Sequence, residues 1–222
     1  MTIKNNIETL RSALSGKKCE LIAVSKTQPN DKIMEAYQAG QRLFGENKVK
    51  EMENKWQELP KDIQWHMIGH LQTNKVKYLA PFVSLIHSVD SQKLIEEINK
   101  QGNKNNRVIA CLLQVHIAQE ESKFGLDEQE LNSLLEKIND YPFVKVRGLM
   151  GMATLTDNKE QIKKEFSYLK GLFDGVKEKK FSKNIEMKEL SMGMTSDYPI
   201  ALECGSTMVR VGTAIFGERN YV

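Results

Sequence analysis

A lysine at the end of an apolar run is the first residue of this chain that could do chemistry. Lys26 follows the segment 20–25 (ELIAVS), so it emerges from a stretch typical of a buried strand. It could pair with a carboxylate such as Glu46, or it could attack an aldehyde to form a Schiff base. The second use needs a neutral amine, and at a pKa of about 10.4 only about one lysine in a few thousand is neutral at pH 7. A desolvated site with another cation nearby increases that fraction.

Two glycine-containing segments near the end of the chain indicate a phosphate site. In 191–197 (SMGMTSD), Ser191 offers a hydroxyl and Gly193 permits a close approach of the backbone, just before a polar stretch that opens a short helix. In 205–217 (GSTMVRVGTAIFG), Gly212 and Thr213 end an apolar run. Backbone amides at the start of a helix bind phosphate well. Because serine–glycine turns are common, each segment alone also fits an ordinary turn.

Arg210 lies within that last apolar run. A buried arginine keeps its charge and needs an acceptor. It could form an internal ion pair with Glu203 or Glu46, or it could donate to a ring nitrogen or carboxylate of a ligand.

The histidines do not indicate a metal site. They are His66, His70, His87 and His116. The spacing of His66 and His70 would suit zinc on a helix, but 65–69 (WHMIG) is typical of a strand, so the two need not share a face. No cluster of cysteines or carboxylates completes a ligand set, and we expect no metal.

Around these residues the chain alternates between short apolar runs and polar segments of helical periodicity. Eight runs are candidate strands, at 20–25, 43–46, 65–69, 84–89, 108–117, 144–152, 187–192 and 208–216. Helical segments lie between them, for example 31–39, 47–58, 91–101, 128–139 and 159–179. Ser91 and Asp127 are the expected N-caps of two of these helices, and the N-terminal segment reads as an amphipathic helix.

This alternation predicts parallel strands joined by right-handed βαβ units. Eight units favour a single (β/α)8 barrel spanning residues 1–222 with an extra N-terminal helix, and an open doubly wound sheet is the alternative. In a barrel, ligands bind at the carboxyl ends of the strands. The positions to inspect are therefore 26–29, 46–47, 69–74, 87–90, 116–125, 152–154, 191–195 and 212–213.

Composition excludes several classes of partner. The chain has 32 Lys and Arg against 29 Asp and Glu, so its formal net charge is only +3. Such a balance argues against nucleic acid or an anionic membrane as the main partner. No apolar run approaches the roughly 20 residues of a membrane span. The three cysteines, Cys19, Cys111 and Cys204, lack disulfide spacing, which predicts a reduced, cytoplasmic protein.

Taken together, these segments resemble the pyridoxal-phosphate homeostasis protein family, relatives of the barrel domain of alanine racemase. The resemblance covers nearly the whole chain, and its most specific stretches are WHMIGHLQTNK (65–75) and VRVGTAIFG (209–217). The other matching stretches are AVSKTQP (23–29), FGEN (44–47), ESKFG (121–125), GLMGMAT (148–154) and SMGMTSD (191–197).

The resemblance implies a barrel that holds pyridoxal 5′-phosphate (PLP) as an internal aldimine. Lys26 matches the lysine of that Schiff base, and Arg210 matches the arginine that faces the pyridine nitrogen. Asn47 matches an asparagine on the cofactor side. The phosphate-cradle region of the family matches Ser191, Gly193, Gly212 and Thr213.

Two further positions depart from the family pattern or leave it open. At the end of the fifth strand relatives usually carry asparagine, and this chain has His116. Because the racemases place a histidine there against the cofactor ring, we expect His116 to stack on the pyridine. Lys123 follows the same strand, and either solvation or contact with the ligand suits it.

The family is regarded as non-catalytic and as acting in vitamin B6 balance, so the resemblance implies a PLP carrier. A neutral pyridine opposite Arg210 is a weak electron sink. Racemisation also needs a second base, which in alanine racemase is a tyrosine near a second, all-β domain. This chain ends at Val222, soon after the eighth strand, and we expect that base to be absent.

The resemblance leaves the function partly open. A weak amino-acid racemase or another PLP-dependent enzyme is the alternative, and a sugar-phosphate isomerase-type barrel without the Schiff base is a third. We expect a monomer that contacts PLP-free enzymes only transiently.

Overall fold

The computed structural model describes residues 2–119, 124–179 and 182–218. Its strands form one closed, all-parallel barrel in chain order, and the eighth strand pairs with the first. The strands are β1 (Glu20–Val24), β2 (Leu43–Glu46), β3 (Gln64–Met67), β4 (Leu85–Val89), β5 (Ile109–Gln114), β6 (Val144–Met150), β7 (Ile185–Ser191) and β8 (Met208–Val211). The predicted (β/α)8 barrel is therefore confirmed, and the open sheet is excluded.

Helices alternate with the strands and cover the outside of the barrel. They are α1 (Ile3–Leu14), α2 (Asn30–Gln38), α3 (Val49–Glu58), α4 (Val76–Leu79), α5 (Gln92–Lys104), α6 (Glu128–Lys137), α7 (Lys159–Glu178), α8 (Tyr198–Glu203) and α9 (Thr213–Phe216). Asp127 is the N-cap of α6, as predicted, and it also forms a capping box with Glu130. Ser91 occupies the N-cap of α5, but its side chain makes no capping hydrogen bond.

The core has two parts, as expected for a barrel whose interior is filled by side chains. A large apolar cluster lies between the sheet and the helices, and it includes the fully buried Trp65 and Phe166. A smaller cluster fills the inside of the barrel, around Ile22, Leu112 and Met150. At the carboxyl ends of the strands, above this second cluster, the side chains inside the barrel are polar.

The eighth apolar run is not one strand. The strand ends at Val211, and the rest of the predicted segment 208–216 forms the short helix α9. Its apolar residues are still buried, because Ile215 and Phe216 pack under α1. The side chain of Asn6 in α1 donates a hydrogen bond of 2.9 Å to the carbonyl of Ile215 in α9. This bond joins the first and last helices of the chain. An apolar run alone does not distinguish these two structures.

Membrane-spanning helices, metal-binding groups and disulfides were considered for the described residues. Across residues 2–119, 124–179 and 182–218, no helix is long and apolar enough to cross a membrane. Within the same ranges, no group of three or more histidine, cysteine or acidic side chains could hold a metal ion. Cys19, Cys111 and Cys204 are free thiols, and burial raises the pKa of Cys111 to about 12. Lys123 and Val222 lie outside the described residues.

Candidate functional site

A cavity of about 540 Å³ opens at the carboxyl ends of the strands. We call it the central cavity. Five of the predicted site residues line it, namely Lys26, Asn47, Arg210, Gly212 and Thr213. They come from the ends of β1, β2 and β8 or from the loops that follow, which is where the active sites of such barrels are built. The structure therefore brings together residues that are far apart in the sequence.

Lys26 is half-buried at the wall of the cavity, immediately after β1. Glu46, the carboxylate that was its alternative partner, is occupied elsewhere. Glu46 Oε1 accepts hydrogen bonds from the hydroxyl of Ser25 at 2.6 Å and from the ammonium of Lys55 at 2.9 Å. Desolvation raises the pKa of Glu46 to about 6, and Lys55 opposes that shift. Lys26 lines the central cavity together with Arg210.

Arg210 is buried in β8 and reaches the floor of the cavity. Its guanidinium donates to the hydroxyl of Ser191 at 2.6 Å and to the carbonyl of Gly151 at 3.1 Å. Neither Glu203 nor Glu46 is a partner, since these carboxylates pair with Lys163 and Lys55 respectively. Burial lowers the pKa of Arg210 to about 10, so it remains a cation at neutral pH. It presents a fixed positive charge to the cavity.

Below Arg210, a chain of buried hydrogen bonds crosses the barrel interior. Nδ1 of His87 lies 2.9 Å from Ser191 Oγ, and Nε2 of His87 lies 2.9 Å from Nδ1 of His66. Because Arg210 can only donate, the Ser191 hydroxyl accepts from it. The tautomers of His87 and His66 determine which atom donates in each of the two remaining hydrogen bonds. Burial holds the pKa of both histidines far below the usual range, so both are neutral.

Ser191 lies beneath the central cavity, and its contact with a phosphate stays a prediction. Its side chain is fully buried and is bonded to Arg210 and His87, so the hydroxyl supports the arginine from below and does not line the central cavity. The pleat of β7 explains this, because its last residue points into the barrel. The hydroxyls of Thr195 and Ser196, a few residues later, lie at the cavity wall with Gly212 and Thr213.

Gly193 contributes through its backbone. It has φ of +95°, and a Cβ atom at this position would lie 2.6 Å from the Cβ of Ala201 in α8. Glycine is therefore required for the tight turn that brings 194–196 to the cavity. The carboxylate of Asp197 accepts the backbone N–H of Met194 at 2.5 Å and closes that turn.

His116 is not among the residues that line the central cavity, and its stacking on a cofactor ring stays a prediction. The strand ends at Gln114, and the chain then turns away, with Val115 bridging to Leu126 and the His116 N–H donating to the Leu126 carbonyl. Gln114 is the residue of β5 that faces the cavity, and its amide donates to the carbonyl of Phe124 at 2.7 Å. Gln114 is a polar residue within an apolar run, as Arg210 is. The sequence could therefore have indicated Gln114 as a site residue in the same way.

Asn47 and the mouth of the cavity complete the site. Asn47 Oδ1 is buried and has no hydrogen-bond partner within the described protein, which marks it as a group that a ligand would satisfy. A Cβ atom on Gly69 would lie 2.6 Å from the Asn47 carbonyl, so glycine is needed beside it. At the mouth, the rings of His70 and Phe124 stack with their centroids 4.5 Å apart.

The groups in the central cavity fit a planar aldehyde that bears a phosphate. Lys26 offers an amine, and Arg210 offers a cation that cannot lose its proton at neutral pH. Thr195, Ser196 and Thr213 offer hydroxyls for a phosphate. Asn47 also lines the cavity, and its side-chain oxygen is an acceptor without a partner among the described residues. A purely apolar ligand would offer no hydrogen-bonding partner to these polar groups.

Comparisons with known proteins find similarity along nearly the whole chain. The family model for the alanine racemase N-terminal domain matches residues 1–220. The pyridoxal phosphate homeostasis protein of Aquifex aeolicus is 42% identical over 208 residues, which cover 93% of this chain and 90% of that protein. The protein of the same name from Schizosaccharomyces pombe is 34% identical and aligns over 98% of this chain and 93% of its own length.

Solved structures show the same fold. PipY of Synechococcus elongatus, determined with PLP bound, superimposes with a TM-score of 0.89 at 36% identity, over 97% of this chain and all of that one. Alanine racemase from Bartonella henselae superimposes with a TM-score of 0.75 at 19% identity. That match covers 97% of this chain and 58% of the racemase, and at this identity it shows the fold alone.

Proposed function

The chain belongs to the pyridoxal phosphate homeostasis protein family, and we propose on that premise that it binds PLP covalently at Lys26 and acts in vitamin B6 homeostasis. The observation that carries the proposal is the presence of Lys26 and Arg210 in one cavity with the hydroxyls of a phosphate site. The relationship to PipY, whose structure contains PLP, supports the same ligand.

Each group in the cavity has a defined task in this proposal. The Lys26 amine attaches the cofactor aldehyde. Thr195, Ser196 and Thr213, with the backbone beside Gly212, bind the phosphate. Arg210 faces the ring nitrogen, and Asn47 Oδ1 accepts a hydrogen bond from the bound ligand. When bound, PLP supplies an electron sink for reactions of amino acids.

We infer that the protein stores or delivers the cofactor and does not catalyse with it. Arg210 keeps its proton at neutral pH and gives none to the ring nitrogen, so the electron sink stays weak. Delivery implies brief contact with PLP-free enzymes, and the half-buried Lys26 is accessible enough for exchange. The three free thiols support a reducing, cytoplasmic location. That the protein acts as a monomer stays a prediction, which light scattering checks.

Borohydride reduction tests the attachment. The purified protein is mixed with PLP, reduced, digested and mapped by mass spectrometry. We expect one adduct, on the peptide that contains Lys26, and no adduct there in Lys26→Ala. Lys50→Ala, which removes an exposed lysine on the same side of the barrel, should keep it. An adduct spread over many surface lysines would disprove the assignment of Lys26 and leave a phosphate-binding barrel of another kind.

A further inference from the structure

The residue that follows Lys26 has a strained backbone. Thr27 has φ of +65°, in the left-handed region that β-branched residues rarely adopt. Such a conformation persists only where its surroundings hold it, and it is found most often at functional sites. The turn that carries Lys26 is therefore held by something outside itself.

Glu51 and Lys55, on α3, hold this turn from both sides of Lys26. The backbone N–H of Thr27 donates to Glu51 Oε1 at 2.6 Å. The Lys55 ammonium donates to the same oxygen at 2.7 Å and to the carbonyl of Ser25 at 2.8 Å. The residues before and after Lys26 are thus both bonded to one helix.

The arrangement uses all of the hydrogen-bonding capacity of Lys55, and the contact between Glu51 and the Thr27 N–H lies at its exposed edge. The third N–H bond of Lys55 goes to Glu46 Oε1, which also accepts the hydroxyl of Ser25. Lys55 is 6% exposed and Glu46 is fully buried. Burying charges is costly unless each one is paired, and a well-packed apolar cluster would stabilise α3 at least as well. Stability alone therefore does not account for the buried Lys55 and Glu46 at this position.

We propose that Glu51 and Lys55 are positioning residues, and that they hold the strained Thr27 turn so that the Lys26 amine faces the central cavity. This inference rests on the proposed attachment of PLP at Lys26. The contact between Glu51 and the Thr27 N–H is its centre. If the contact is lost, the turn relaxes out of the left-handed region and the amine turns away from the ligand.

A rescue experiment tests the inference, because glycine adopts the left-handed region without strain. In Glu51→Ala we expect covalent attachment of PLP to slow by about tenfold, as expected for roughly 1.4 kcal/mol of lost positioning. In Glu51→Ala with Thr27→Gly, the rate should return to within about threefold of the wild-type rate. Glu53→Ala is the matched control, since Glu53 lies on the same helix and pairs with the exposed Lys50.

Two further measurements are needed. One distinguishes a positioning role of Glu51 from a general effect on stability, and the other tests the position of Lys26 without using PLP. Thermal unfolding shows whether each variant is folded at the assay temperature. Acetylation of cofactor-free protein by acetic anhydride, with peptide mapping, reports the exposure of Lys26 without PLP. We expect Glu51→Ala to raise Lys26 acetylation relative to the other lysines, and Thr27→Gly to reverse the change.

The outcomes are distinct. If the wild type gains no adduct at Lys26, the proposed attachment fails, while the acetylation result still decides whether the turn is held by Glu51. The positioning role is overturned if Glu51→Ala leaves both attachment and acetylation of Lys26 unchanged. It is also overturned if the double variant regains thermal stability without regaining the attachment rate.

Discussion

His66 and His87 are neutral residues in the barrel interior, and their burial makes the protein sensitive to acid. An unfolded chain binds a proton on each histidine below a pH of about 6.5, whereas the folded protein does not, because burial lowers the pKa of His66 to about 3 and that of His87 well below its usual range. Stability therefore falls as the pH falls below about 6.5. By pH 4.5 the loss from His66 should reach about 2–3 kcal/mol, and His87 contributes in the same direction.

Glu46 acts in the opposite direction over part of this range. Its pKa is raised from 4.5 to about 6, so the folded protein takes up a proton that the unfolded chain does not yet hold. This gain offsets about 1–2 kcal/mol of the loss near pH 4.5. Urea denaturation at several pH values checks the balance. His66→Gln should lose about one proton of the acid dependence. An unchanged slope in His66→Gln would contradict this account.

At the residue scale, the sequence predicts which residues matter better than it predicts where their side chains point. Lys26, Asn47, Arg210, Gly212 and Thr213 were identified from apolar runs and family motifs, and all line the central cavity. Ser191 and His116 were identified in the same way, but they lie beneath the cavity and beyond its wall. The pleat of β7 determines where Ser191 points, and the end of β5 at Gln114 determines where His116 lies. A sequence motif shows neither feature.

At the element scale, the turn between β7 and α8 depends on Gly193. We expect Gly193→Ala to lower the free energy of unfolding by about 2–4 kcal/mol, since alanine would be strained at this φ and its Cβ would meet that of Ala201 at 2.6 Å. The same change should weaken PLP binding, because the turn carries Thr195 and Ser196. Chemical denaturation and cofactor titration measure the two effects.

Gly175→Ala is the matched control for that substitution. Gly175 lies within α7, and a Cβ atom there would meet nothing within 4 Å. Alanine at this position should stabilise the protein by up to about 1 kcal/mol and leave PLP binding unchanged. Equal effects of the two substitutions would show that the conformation of Gly193 is not what positions the turn.

The elements themselves could be predicted from periodicity, with errors at their ends. The strands and the main helices all occur where the apolar runs and helical segments place them. The error in 208–216 arose because the buried residues Ile215 and Phe216 read equally well as strand or helix. Packing of α9 against α1 determines that this segment is a helix, and this contact joins residues from opposite ends of the chain.

At the scale of the whole molecule, closure of the barrel creates the site. Alternation of strands and helices predicts parallel strands, but closure also requires β1 to pair with β8, from Glu20 beside Met208 to Ala23 beside Val211. That pairing places Lys26 next to Gly212 and Thr213 in one cavity. The network of Glu51, Lys55 and Thr27 could not be predicted, because no motif shows that a buried lysine faces a carbonyl from another element.

The same barrel fold occurs in racemases. Whether the central cavity contains the groups that racemisation needs is therefore a test of the proposed carrier function. Abstraction of the α-hydrogen of an amino acid needs an electron sink and a base on each face for racemisation. Arg210 stays charged up to a pH of about 10 and is held by Ser191 and Gly151. Within the described ranges, no tyrosine lines the central cavity to serve as a second base.

We therefore expect the PLP-loaded protein to exchange the α-hydrogen of L-alanine or D-alanine in deuterated water no faster than free PLP does. Proton NMR of the alanine signals measures the rate, with Lys26→Ala as the control for cofactor that is not attached to the protein. A saturable rate above that of free PLP, lost in Lys26→Ala, would establish catalysis and replace the carrier by an enzyme. A rate below that of free PLP would mean that the cavity protects the aldehyde, as storage of a reactive cofactor requires.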